Sequence, residues 1–246
     1  MTDEMPPGET PPRVAWGRFP DVIIHAPESW VKRHPAYVAA KAGNDEAAQI
    51  LVDDTVSSEG IAKIARLLGE HRPYLASAHA FENHGVNAIP EALADKLAHI
   101  LTLNVEHTIV QANIVAHTGA NGFARLARQA VFEGSVIRDA AYFLVDDFIG
   151  QGGTLANMRG FIEAKGGRVL GATVLTGKPY SAKISLNQDQ LDALRAKHGK
   201  DLEDWWIDRF GHAFDCLTQS EARYLERTEN ADIIRNRIAE AEQSRN

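Results

Sequence analysis

The spacing of apolar and polar residues divides the chain into helical ends and a middle in which strands alternate with helices. Residues 28–68 carry Ala, Leu and Val at helical spacing, as in "VAAKAGNDEAAQILV" and "GIAKIARLLGEH". The stretch "RPYLASAHA" has a proline stop before a short apolar run and predicts a buried strand over 72–80. The loop "FENHGVNAIP" and the amphipathic helix "PEALADKLAHIL" follow, with Pro90 in the first turn. Another strand is expected in "EHTIVQANIV". Residues 116–136, "AHTGANGFARLARQAVFEGSV", mix Gly, Asn and cationic side chains with few apolar ones and read as a long mobile excursion. Then "AAYFLV" predicts a buried strand, "DDFIGQGG" a loop, "TLANMRGFIEAKGG" a helix closed by Gly166 and Gly167, and "RVLGATVLTG" a second buried strand. Such a unit calls for a parallel pair joined by a right-handed crossover. From residue 187 the pattern is again helical, and Thr218 with Glu221 fits a capping box.

The same four letters open "LVDDTVSSEG" at Leu51 and "LVDDFIGQGG" at Leu144. Before Asp53 and Asp54 the alanine-rich "AAQILV" continues a helix, so this pair reads as a helix end, with Ser57 as the next N-cap. Asp146 and Asp147 instead follow a strand, and ligands of open parallel sheets sit beyond the carboxyl ends of strands. Gly150, Gly152 and Gly153 then allow backbone amides to face an anion, and Thr154 opens a helix whose N-terminus favours phosphate.

Composition narrows the classes. The chain has 246 residues, 44% of them hydrophobic and 24% charged, and no apolar run long enough to span a bilayer. Its net charge of -7 argues against broad nucleic-acid binding, although a local basic groove stays open. A single cysteine, Cys216, excludes an internal disulfide and fits a reducing cytoplasm; it reads as a small buried apolar residue. The acidic, proline-rich start "MTDEMPPGETPPR" lacks the form of a secretory signal and predicts a disordered arm over 1–20.

"YFLVDDFIGQGGTL" resembles the phosphoribosyl pyrophosphate (PRPP) motif of type I phosphoribosyltransferases: an apolar strand, two acids, two apolar residues and a small-residue loop ending in Gly-Gly-Thr. "YLASAHAFENHGVNAIPEALADKLA" resembles the family's pyrophosphate loop and following helix, and "HGVN" is similar to the competence-protein (ComF-like) branch. There too a flexible loop carrying arginines precedes the acidic pair, here "HTGANGFARLARQAVF". The resemblance covers residues 72–180 and implies an α/β fold, a type I phosphoribosyltransferase-like parallel sheet flanked by helices, with helical N- and C-terminal extensions. The corresponding division is an arm over 1–20, a helical extension over 21–70, the core over 71–186 and a helical extension over 187–246.

The resemblance further implies a cytoplasmic, Mg²⁺-dependent enzyme that transfers phosphoribosyl from PRPP to a base or amine and releases pyrophosphate, working as a homodimer without membrane or nucleic acid. Asp146 and Asp147 would be the catalytic pair, meeting ribose hydroxyls and, through water, Mg²⁺. Gly150, Gln151, Gly152, Gly153 and Thr154 would hold the 5-phosphate. His79, Asn83, His84, Gly85, Arg125 and Arg128 would hold pyrophosphate, the two arginines folding over it and excluding water; one solvated helix face is the alternative for the arginines. His79 and His84 lack a third ligand for zinc. Lys178, in "VLTGKP", matches a lysine with which purine salvage members contact the acceptor base; an ordinary solvated lysine is the alternative. Gly150 and Gln151 depart from the threonine or acidic residue found near these positions in the family, which weakens the purine reading. Phe148, Tyr180, Trp205 and Trp206 are candidate stacking groups, with packing the alternative. Two other functions stay open, a non-catalytic PRPP- or nucleotide-sensing regulator and a ComF-like accessory protein of DNA uptake.

Overall fold

The computed structural model describes residues 11–78, 81–82, 85–113 and 122–243. Its centre is a five-stranded, wholly parallel sheet. The chain order is β1 (Ile23–Pro27), α1 (Glu28–Arg33), α2 (Tyr37–Lys41), α3 (Asp45–Thr55), α4 (Ser58–Leu68), β2 (Tyr74–Ser77), β3 (Phe81–Glu82), β4 (Gly85–Val86) and α5 (Ile89–Leu101). It continues with β5 (Asn104–Glu106), β6 (Val110–Gln111), α6 (Gly122–Ala127), β7 (Phe132–Glu133), β8 (Ala141–Ile149), α7 (Gly153–Ala164), β9 (Arg168–Gly177), α8 (Gln188–Phe210), α9 (Gln219–Glu226) and α10 (Ala231–Gln243). The sheet order is β1-β9-β8-β2-β5, with β3-β4 and β6-β7 as small antiparallel pairs.

Alternation along the central strands builds two cores. Tyr142 and Leu144 of β8 pack with Met158 and Ile162 of α7, while Phe143 and Val145 pack with Leu51, Ile64, Leu93 and Leu97 of α3 to α5. A third apolar cluster lies among helices: Phe123 and Leu126 of α6, Leu194, Leu202 and Trp206 of α8, Leu225 of α9, and Ile234 and Ile238 of α10. The α/β architecture with helices on both faces of a parallel sheet is therefore as expected. Among the described residues, no helix is long and apolar enough to cross a membrane.

Four boundaries differ from the sequence reading. The expected helical extension over 21–70 contributes β1, an edge strand parallel to β9 with Ile23 opposite Thr173; its ladder partner lies 150 residues on, beyond the reach of a local pattern. The described part of the proline-rich arm is packed: Trp16 is buried and its Nε1 donates to the Leu217 carbonyl. The expected strand over 106–115 breaks because the Glu106 carboxylate accepts from both the backbone N–H and the hydroxyl of Thr108, turning the chain between β5 and β6. The excursion over 116–136 holds α6 and β7 within its described part, and α6 packs onto α9 and α10. By contrast, "LVDD" at residues 51–54 closes α3 as predicted, and the Ser57 side chain caps α4 by accepting from Gly60 N–H at 3.1 Å.

Candidate functional site

β8 runs through the acidic pair rather than stopping before it, because β9 stays paired alongside as far as Ile149 opposite Gly177. The chain then turns at Gly152, which has φ +86°, a conformation that favours glycine, and enters α7 at Gly153. This turn is held from behind. Ser181 Oγ donates to the Gly150 carbonyl and Thr218 Oγ1 to the Gln151 carbonyl, each at 2.5 Å. A Cβ placed on Gly153 would lie 2.9 Å from Glu221 Oε1. Glu221 in turn is bound by Arg13 through two hydrogen bonds of 2.7 and 3.0 Å, with both side chains 2% exposed. The start of α7, expected to face an external phosphate, thus has a buried internal carboxylate packed against it, where negative charge is favourable. Thr154 lies in the first turn of α7, beside this packing rather than in the open cleft.

The two acids have unequal surroundings. Asp146 is 7% exposed, and its Oδ1 accepts from the backbone N–H of Asp147 at 2.7 Å. Burial first, and the negative charge of Asp147 second, push its carboxyl well above the ordinary range. Asp147 Oδ2 is 3.0 Å from the ammonium of Lys41 on α2. Asp147 already gives one oxygen to Lys41, so a Mg²⁺ held through water, as the resemblance implies, would compete with that ammonium.

A cleft of about 630 Å³ opens beside the turn. Its wall joins Gly150, Gln151 and Phe148 to Glu28 and Lys32 of α1, Lys178 and Tyr180 beyond β9, and Ser220, Arg223, Tyr224 and Arg227 from α9 and its end. Arg125 completes it. α6 lies close against Tyr224, where Gly122 leaves no room for a Cβ, and Arg125 Nη1 comes within 2.8 Å of where a Cβ on Gly150 would stand. Glu28 bridges two lysines, with its oxygens 2.6 Å from Lys32 Nζ and 2.6 Å from Lys178 Nζ. Those hydrogen bonds, Lys178 first, hold its carboxyl below the ordinary value. The Phe148 ring carries the Lys32 ammonium at 4.8 Å, and the Tyr180 ring carries the Arg223 guanidinium at 5.5 Å.

Of the residues singled out by sequence, Gly150, Gln151, Arg125, Lys178, Phe148 and Tyr180 meet in this cleft. Arg128 does not; its Nη2 donates to the Ala241 carbonyl of α10. Trp206 is buried among Phe210 and Phe214, and Trp205 leans on it, so both are packing groups. His79, Asn83 and His84 lie outside the described residues, and Gly85 is described only as part of β4. Glu28, Lys32, Lys41, Arg223 and Arg227 escaped the sequence reading. Their only local signal is charged residues on helical segments, which a solvated face shares.

Comparison with known proteins gives two relatives. The chain is 39% identical to "Protein TraN" of Escherichia coli over 229 residues, 93% of this chain and 51% of TraN. It is 39% identical over 144 residues to a Haemophilus influenzae protein named "Uncharacterized protein", covering 58% of this chain and 32% of that one. The chain therefore spans about half the length of the first relative and about a third of the second. No family model matches. The similarity to TraN overturns the reading as a Mg²⁺-dependent phosphoribosyltransferase of nucleotide metabolism, because the relative that matches nearly the whole chain bears another name. The PRPP- or nucleotide-sensing alternative drew on the departure at Gly150 and Gln151 and on the unmatched helical ends, and the DNA-uptake alternative on the ComF-like resemblance alone.

Proposed function

We propose that the protein is a binding module whose cleft takes a polyvalent anion, a compact ligand bearing several phosphate or carboxylate groups. One observation carries this reading: five cationic side chains, Lys32, Arg125, Lys178, Arg223 and Arg227, line one cleft in which, among the described residues, Glu28 is the one lining carboxylate. The chain as a whole is at -7, so the cleft is a local reversal of sign. Long anionic polymers meet that overall repulsion, whereas a compact anion is drawn to the positive wall alone. Ring faces under Lys32 and Arg223 support it further, because a cation resting on an aromatic face is positioned without being neutralised. The layout of β8, the glycine turn and α7 supports a type I phosphoribosyltransferase-like scaffold put to a use other than phosphoribosyl transfer.

Titration calorimetry with sodium tripolyphosphate tests the reading. Binding should weaken as salt rises, and Arg223→Ala with Arg227→Ala should weaken it by about tenfold or more. Equal binding by the double variant, or none by the parent protein, sinks the proposal.

A further inference from the structure

We infer that Glu28 is the resident anion of the cleft: it competes with the ligand for Lys32 and Lys178, and this competition selects polyvalent anions over weakly charged ones. The inference rests on the anion-binding reading above.

The geometry that carries it is the double bridge. Glu28 is the first residue of α1 and sits immediately after the edge strand β1, whereas Lys178 follows β9, the strand that pairs with β1. Parallel pairing of Pro27 with Gly177 therefore sets residues 28 and 178 side by side at the carboxyl end of the sheet. Lys32, four residues along α1, reaches back to the same carboxylate. Each oxygen of Glu28 is thus 2.6 Å from a different ammonium, and all three side chains line the cleft.

An incoming anion must offer these lysines more than the carboxylate they already hold. A ligand with one charged group would exchange one ion pair for another and gain little. A ligand with several can engage Arg125, Arg223 and Arg227 first and then displace Glu28 from both lysines. Lys32 also rests over the Phe148 ring at 4.8 Å, a contact that does not involve Glu28. Glu28 is 25% exposed, so its carboxylate already has an edge in water toward which it can turn once released.

The test compares Glu28→Gln with Glu226→Gln, which removes the same charge one residue from Arg227 without touching either lysine. Calorimetric titration of each, and of the parent protein, uses sodium tripolyphosphate and, separately, inorganic phosphate. Glu28→Gln should tighten tripolyphosphate binding by about tenfold and make phosphate binding measurable, while Glu226→Gln should change either by less than about twofold. No gain in Glu28→Gln, or the same gain in both variants, overturns the inference and leaves the anion-binding reading standing. Failure of tripolyphosphate to bind the parent protein removes both. If Glu28→Gln unfolds early in urea, Glu28→Ser, a good residue near a helix start, takes its place with the same expected outcomes.

Discussion

Residues 51–54 and 144–147 share the letters Leu-Val-Asp-Asp, and each pair of aspartates has recruited a lysine from another helix. In α3 it is Lys96 of α5, 2.8 Å from Asp53, with the side chains 32% and 45% exposed. In β8 it is Lys41 of α2, 3.0 Å from Asp147, beside the buried Asp146. Letters and partner chemistry are alike, and burial alone separates the two. Water screens the first pair, so its attraction is small; the second pair, 25% and 13% exposed, is less screened and sits beside the buried Asp146.

Substitutions can break this contrast or sharpen it. The largest effect is expected from Lys41→Met, which leaves Asp147 beside Asp146 without its ammonium and should cost about 1–3 kcal/mol in urea unfolding. A loss no greater than that of the exposed pair would end the distinction. Next comes Asp146→Asn. The Asp146 carboxyl is harder to ionise in the fold than at its ordinary value near 3.8, so the folded protein binds that proton more tightly than the unfolded chain does. Its contribution to stability is unpenalised below the ordinary value and falls as pH rises above it. Asn escapes that penalty, so the variant should gain stability relative to the parent as pH rises above the ordinary value of 3.8. A gain that does not vary with pH would place the proton elsewhere.

Smaller effects belong to the helical pair. Ser57→Ala removes the cap that starts α4 just beyond Asp53 and Asp54, and should lower stability by about 1 kcal/mol. Lys96→Met, the counterpart of Lys41→Met, should change stability by about 0.5 kcal/mol or less in thermal melts and not at all in high salt. A larger loss would mean that the exposed pair is more desolvated than its surroundings imply.

Local chemistry made much of this legible. The helix end at Asp53 and Asp54, the Ser57 cap and the Thr218 capping box are events within four residues, and each is found where the pattern puts it. Buried strands β8 and β9 announced themselves by unbroken apolar runs flanking a glycine turn. What stayed hidden depends on pairing across long separations. β1 is a strand because β9 lies beside it, and the cleft exists because residues 28, 125, 150, 178 and 223 converge from five places in the chain. The motif around Asp146 drew the functional reading to the acids and the start of α7. There Lys41, Arg13 and Glu221 meet those needs from within the protein, while the cationic wall that gathers around Gly150 comes largely from segments the motif does not include.

The hydrogen bonds from Ser181 and Thr218 to the carbonyls of Gly150 and Gln151 bear on the order in which the molecule is made. On a ribosome, β8, α7 and β9 emerge early enough to pair and pack, yet the clasps that shape the turn between them are synthesised about thirty and nearly seventy residues later. Arg13 waits still longer, since it emerges near the beginning and meets Glu221 only after most of the chain is out. A nascent chain stopped short of α9 would hold every strand of the sheet yet lack the Thr218 hydroxyl that clasps the turn.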